Sequence, residues 1–309
     1  MFSMLLRGVP ASSGAAAAAC RRRIGGAAED PVRVAIIGCG KMAEALADGL
    51  QSSFAHLDLH AFDIHEKRTA LFNKQFDATV HASPEECVVG ADAILLATKP
   101  QQFQALGAKL RGRIDKKSIV LSILAGTKIG TLVHTLEHQR VVRSMPNTPA
   151  AVKQGITVWI PTTQLTPGDI ALTSKVLRAF GEEVMVEEER YLDVATAVSG
   201  SGPAYILLMM EAMVDTGVHM GFPREIATKI VLQTFRGTAI YAGGQVQQLG
   251  RASSATPTSL RADITSPGGT TASALYALKH GRFETTIADG LWAAYNRSVE
   301  LGGEKRQLK

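Results

Sequence analysis

Several short segments of the chain combine glycine, hydroxyl and cationic residues at spacings suited to holding anions. The first, Gly38-Cys39-Gly40-Lys41-Met42-Ala43, follows the apolar run Val34-Ala-Ile-Ile and has the form G-x-G-x-x-A. Gly38 allows a tight turn, Gly40 lets a pyrophosphate approach the backbone, and Ala43 lets the next helix pack closely on the strand. The N-terminus of that helix would face the phosphates. The pattern is weak alone, but its place between a strand and a helix marks a dinucleotide site, with Lys41 and Met42 in the phosphate-facing turn. Asp63 stands at the end of the second expected strand, where an acid bonds a ribose 2′-hydroxyl and repels a 2′-phosphate; this leans towards NADH. His65, Lys67 and Arg68 follow. A cation there would hold the 2′-phosphate of NADPH, and a solvated helix start is the plain alternative.

Further turns fall after expected strands, on the carboxyl edge where such sheets bind ligands. They are Ala97-Thr98-Lys99-Pro100, Ala125-Gly126-Thr127 and Pro146-Asn147-Thr148-Pro149. Asn147 has the donors and the acceptor to hold a carboxamide. Two glycine-rich motifs come later, Ser199-Gly200-Ser201-Gly202-Pro203-Ala204-Tyr205 and Ser266-Pro267-Gly268-Gly269-Thr270-Thr271. A Gly-Gly turn at a helix start exposes unpaired N–H groups and suits a carboxylate. The Thr271 hydroxyl would then reach a ring nitrogen of the same ligand. Simple helix caps would explain both motifs equally well. His134 and His138 lie four apart, but Glu137 does not complete the His-Glu-x-x-His order, so no metal is expected.

The elements that must position these residues are legible as apolar runs. Val32–Ile37, 57–64, 91–97, 118–124, Val141–Met145 and 156–160 read as buried parallel strands. Helical patterns such as 41–51 and 129–138 lie between them, the alternation of a doubly wound α/β sheet. The polar stretch Thr162 to Gly168 marks a boundary, after which the chain becomes helical over 203–220, 223–242, 272–279 and 284–301. Prolines open the first two of these, and Gly221 and Gly243 stand where helices stop. The 203–220 segment is apolar all round and must be buried in its own domain or against another subunit. Four parts follow: an extension or transit peptide (1–30), an α/β Rossmann dinucleotide-binding domain (31–163), an all-helical substrate and dimerisation domain (164–303) and a basic tail (304–309).

Taken in order, the motifs at 38–43, 97–100, Arg143–Pro149, 199–205 and 266–271 resemble Δ1-pyrroline-5-carboxylate reductase, over about Val32 to Leu301. The 143–149 and 266–271 motifs are the specific ones; the glycine fingerprint is shared widely. The resemblance implies reduction of the cyclic imine to L-proline, the last step of proline biosynthesis, by hydride from NADPH or NADH. It implies that Ser266, Gly268, Gly269, Thr270 and Thr271 bind the substrate, with the Thr271 hydroxyl at the imine nitrogen as the catalytic group. Gly38, Gly40, Lys41, Met42, Asp63, Ala97, Thr98, Lys99, Pro100, Ala125, Gly126 and Asn147 would line the cofactor. It also implies a homodimer with interlocked C-terminal helices that complete the site, with dimers gathered into larger rings. Asp63 departs from the small polar residue common in a family that usually prefers NADPH.

Composition narrows the alternatives. With 46% hydrophobic and 20% charged residues in 309, the chain can bury a large core and is not disordered. The net charge is +5, but residues 1–30 hold four arginines against two acids, leaving +3 elsewhere. Nucleic-acid binding is therefore not expected. Three dispersed cysteines fit a reducing compartment, and no apolar run suggests a membrane span. The arginine-rich, acid-poor start of the chain leaves the cytoplasm and the mitochondrion both open. A β-hydroxyacid dehydrogenase would need a lysine acid on a C-terminal helix, and Lys229 lacks that family's surroundings. A non-catalytic cofactor sensor would predict a degraded 266–271 loop, which is intact.

Overall fold

The computed structural model describes residues 31–247 and 255–303; the 1–30 extension, Cys20 and the 304–309 tail lie outside them. Among the described residues, eight strands form one sheet. They are β1 (Val32–Ile37), β2 (Leu57–Phe62), β3 (Thr79–Val80), β4 (Ala93–Leu96), β5 (Ile119–Ser122), β6 (Val141–Met145), β7 (Gly155–Pro161) and β8 (Gly181–Met185). Their order is 3-2-1-4-5-6-7-8, with β1 to β6 parallel. The winding reverses between β1 and β4, and the crevice at the carboxyl ends of those two strands is the place such sheets offer a ligand. Helices α1 (Lys41–Ser53), α2 (Glu66–Phe76), α3 (Pro84–Cys87), α4 (Phe103–Leu110), α5 (Ile129–Leu136) and α6 (Pro167–Arg178) surround it.

The central strands β1, β4 and β5 are mostly apolar because both faces of the sheet are covered there. Val34 and Ile36 of β1 face one core with Phe72, Trp159 and Phe180. Ala35 and Ile37 face the other with Phe103, Leu110 and Leu132. This alternation is the period of two expected of a strand.

Two expectations need correction. The 156–160 run is not parallel: β7 pairs antiparallel with β6, because the short connection through Pro149 returns the chain without a crossover. The sheet also does not end at residue 163, since α6 and β8 follow and β8 adds parallel to β7. The helical part therefore begins at Arg190 rather than at 164. β8 carries two glutamates in five residues and gives no apolar signal. One of them, Glu183, is consumed inside the fold, accepting from Trp159 Nε1 at 2.5 Å and Ser174 Oγ at 2.9 Å.

The rest is helix. α7 (Arg190–Ala195), a π-helical turn over Thr196–Gly200 and α8 (Gly202–His219) run on as one rod, followed by α9 (Arg224–Gln247), α10 (Pro257–Asp263), α11 (Thr270–His280) and α12 (Phe283–Leu301). α9 passes through Gly243 instead of stopping there: a glycine costs a helix only roughly 1 kcal/mol and does not break it. α8 and α9 share only a small core of Val214, Ala227 and Val231. Within one chain α8 is not buried all round: Leu207 and Leu208 are 62% and 66% exposed. The rod 190–219 is 30 residues long and apolar enough to cross a membrane by length and composition, which the sequence reading did not expect.

Glu183→Ala removes the acceptor of the fully buried Trp159 ring N–H. The expected cost is about 1–3 kcal/mol, read as a lower urea midpoint at fixed protein concentration, whereas Glu183→Gln recovers most of it.

Candidate active site

The crevice at the winding reversal holds a cavity of about 640 Å³, lined by Gly38, Gly40, Asp63, Ala97, Thr98 and Lys99 among others. Gly38 has φ +99°, and a Cβ there would stand 2.8 Å from the Ala97 backbone, so the turn accepts only glycine. A Cβ on Gly40 would meet nothing within 4 Å, which leaves room for a ligand against the backbone. Gly40 is also the N-cap of α1 and supplies no side-chain cap, so the first N–H groups of that helix face the crevice without a protein acceptor. A glycine-walled crevice of this size, ending on a bare helix N-terminus, fits a dinucleotide.

Asp63 lies at the crevice as expected, and its carboxylate is also a brace. Its oxygens accept from Cys39 N at 2.7 Å and from His65 N at 2.9 Å, tying the glycine turn to the end of β2. A carboxylate has about four acceptor positions, so capacity remains for a ribose hydroxyl. Of the nearby cations, His65 and Arg68 line the cavity and Lys67 does not. Arg68 Nε donates to the Cys39 carbonyl at 2.6 Å, and its Nη2 pairs with Glu44. Burial first, then the Asp63 charge, pushes the Cys39 thiol up to about 12, so it is no nucleophile.

The remaining expected cofactor residues are not wall residues of the cavity. Lys41 and Met42 open α1 beside Gly40, and Pro100 opens a 3-10 turn capped by Lys99. Ala125 and Gly126 form the turn after β5. Asn147 is buried behind β6, and its Oδ1 accepts from Ile156 N at 2.9 Å, so what it can offer a ligand is its NH2 group.

The 266–271 loop is as the spacing suggested in its own geometry. Gly268 has φ +70°, Gly269 N donates to Ser266 O at 3.1 Å, and Gly269 caps α11 without a side-chain bond. The N–H groups of Thr270 and Thr271 therefore face outward at the start of a helix. This loop does not line the cavity within one chain, and α11 has no buried residue. The 199–205 motif is not a loop: Ser199 and Gly200 lie in the π turn, with Ser199 Oγ donating to Ala195 O at 2.9 Å.

One feature escaped the sequence reading. Arg143, in the motif at the end of β6, is 3% exposed and donates from Nη1 to Glu189 at 2.9 Å and from Nη2 to Asp193 at 3.0 Å. Asp193, 2% exposed, also accepts from Lys128 Nζ at 2.7 Å and Ser298 Oγ at 2.9 Å. Burial alone would raise the Asp193 carboxyl, but the Lys128 bond, the Arg143 charge and the Ser298 bond together hold it below the usual range. The only sequence signal was an arginine inside the apolar strand Val-Val-Arg-Ser-Met. The cluster sits directly behind the Ala125–Gly126 turn, where the space a Cβ on Gly126 would need is filled by Leu301 of α12.

Comparison with known proteins identifies this arrangement. A family model described as pyrroline-5-carboxylate reductase dimerisation matches residues 189–301, and one described as NADP oxidoreductase coenzyme F420-dependent matches 33–126. Pyrroline-5-carboxylate reductase of Arabidopsis thaliana is 35% identical over 279 residues, 87% of this chain and 95% of that protein. The chain belongs to the pyrroline-5-carboxylate reductase family. The Escherichia coli reductase is 32% identical over 272 residues, 87% of this chain and 98% of its own. Among solved structures, that of the reductase from Coxiella burnetii has a TM-score of 0.79 at 28% identity, covering 88% of this chain and 99% of its own. The Plasmodium falciparum reductase, solved with NADP bound, has a TM-score of 0.76 at 27% identity, with coverage of 88% and 98%. The dimerisation match begins at 189, one residue before α7, and so agrees with the end of the sheet rather than with a boundary at 163.

Asp193→Asn leaves Arg143 and Lys128 short of a buried counter-charge, and a loss of about 3 kcal/mol is expected. Because the folded carboxyl is depressed, its contribution is full above the unfolded value near 3.9 and is lost as pH falls through the folded value. Wild-type urea midpoints should therefore hold from pH 7 to about 5 and drop below about 4, with a shallower drop in Asp193→Asn.

Proposed function

We propose that this chain reduces Δ1-pyrroline-5-carboxylate to L-proline with NADH or NADPH, and that its second copy in a homodimer completes each site. The observation that carries this is the pairing, in one chain of this family, of a dinucleotide crevice with an outward-facing carboxylate loop that does not reach it. Separate halves call for a partner, and the exposed apolar residues of α8 supply the surface on which it docks.

When bound, the nicotinamide supplies the hydride. The α1 N-terminus, through Gly38, Gly40, Lys41 and Met42, would hold the pyrophosphate, and Asp63 would accept from the ribose. Ala97, Thr98 and Lys99 wall the crevice with Pro100 in the turn beside them, and Ala125, Gly126 and the Asn147 NH2 group would orient the nicotinamide. The turn of Ser266, Gly268, Gly269, Thr270 and Thr271 holds the substrate carboxylate by backbone N–H groups at a positive helix end. The Thr271 hydroxyl would bond the imine nitrogen and orient the ring for hydride transfer. A protonated imine is already electrophilic, so positioning and fixed dipoles do most of the catalytic work.

Dimers gathered into a larger ring are the proposed assembly, with no nucleic acid and no membrane as partners. The apolar rod 190–219 is accounted for by the dimer. The compartment is the cytoplasm or the mitochondrion.

Oxidation of NADH and NADPH with pyrroline-5-carboxylate, measured side by side, should yield proline; folded protein that oxidises neither would sink the assignment and favour a cofactor sensor. Thr271→Val keeps the backbone N–H and should lower kcat by about 10–100-fold with little change in KM, since only the hydroxyl is lost. Asp63→Ser should raise NADPH use relative to NADH, and an unmoved ratio would place Asp63 away from the ribose.

A further inference from the structure

Beside Asp63 the rim of the crevice carries an ion-pair cluster that the reaction does not use. Arg68, in the first turn of α2, lines the cavity, yet its guanidinium is turned onto the glycine loop. Nε donates to the Cys39 carbonyl at 2.6 Å and Nη2 to Glu44 Oε1. Glu44, in the first turn of α1, accepts with its other oxygen from Lys41 Nζ at 3.0 Å. Burial raises the Glu44 carboxyl, but the bonds from Lys41 and Arg68 outweigh that and hold it below its ordinary range. Glu44 is thus ionised at neutral pH, and the charge of Arg68 is neutralised where it stands. Side-chain exposures of 26% for Arg68 and 19% for Glu44 leave the pair only partly screened by water.

We propose that Glu44 is a specificity-determining residue that favours NADH by withholding Arg68 from a 2′-phosphate. The proposal rests on the assignment of the crevice to NAD(P)H. A phosphate on the ribose at Asp63 would meet the Asp63 carboxylate and an arginine whose charge is already paired with Glu44. Released from Glu44, the same arginine keeps its bond to Cys39 and turns an uncompensated fork of donors to the phosphate. The adenine, the pyrophosphate and the release of Lys41 are common to both cofactors, so the effect falls on their ratio.

The test is calorimetric titration of the full-length protein with ADP-ribose and with its 2′-phosphorylated form, in wild type, Glu44→Gln, Arg68→Ala and the double variant. Glu44→Gln should tighten the phosphorylated ligand relative to ADP-ribose by about tenfold, a gain that shrinks with added salt. In the double variant the gain should fall below about twofold, because the released donor is gone. Arg68→Ala alone should move the ratio by less than about threefold, since that arginine is already committed. An unchanged ratio in Glu44→Gln overturns the proposal. So does a selective loss of about tenfold or more for the phosphorylated ligand in Arg68→Ala, which would mean that Arg68 grips the phosphate as it stands. Arg68→Ala decides alone if Glu44→Gln binds neither ligand. Wild-type protein that binds neither overturns the cofactor crevice itself, whereas wild type that binds both with an immovable ratio overturns only the role of Glu44.

Discussion

Arg143 and Asp193 meet at the one point where the end of the sheet, the turn after β5 and two C-terminal helices come together. Each is almost wholly buried, so neither charge has water to fall back on, and each depends on the other and on Lys128, Glu189 and Ser298. Burying charges is expensive, and a cluster like this returns the cost only if every partner is in place. The requirement specifies geometry: α7 and α12 must sit at one angle to β6 or the network fails. Leu301, on the same helix α12 as Ser298, closes the Ala125–Gly126 turn from one side.

The helical part contrasts with this. α8 and α9 bury few residues between them, and α11 buries none. A surface of that kind is unfavourable in water, consistent with the dimerisation family model that matches residues 189–301. The 266–271 loop at the start of α11 is well formed yet does not line the crevice of its own chain.

Within the crevice, most of the ligand-binding capacity comes from backbone. Gly38 and Gly40 remove side chains where a pyrophosphate must approach, and α1 presents its N–H groups there. Side chains act at one remove. Asp63 braces the turn while keeping acceptor capacity, and Glu44 with Arg68 sets the charge that the ribose end presents.

The amino-acid order by itself was enough for the parallel strands β1, β2 and β4 to β6, the glycine turn and the two uncapped helix starts at Gly40 and Gly269. Their signals are local: an apolar run, a glycine at a turn, an uncapped helix. It was not enough for β8, whose glutamates look like a solvated loop until Trp159 and Ser174 are seen to hold one of them. Nor was it enough for the antiparallel entry of β7, or for the partnership of Arg143 with Asp193, 50 residues away. Hydropathy also placed α8 in a core without saying whose. Pairings between distant residues, and the choice between burial inside a chain and burial against a second one, depend on which surfaces meet in space. No local spacing encodes that, so only the tertiary structure decided them.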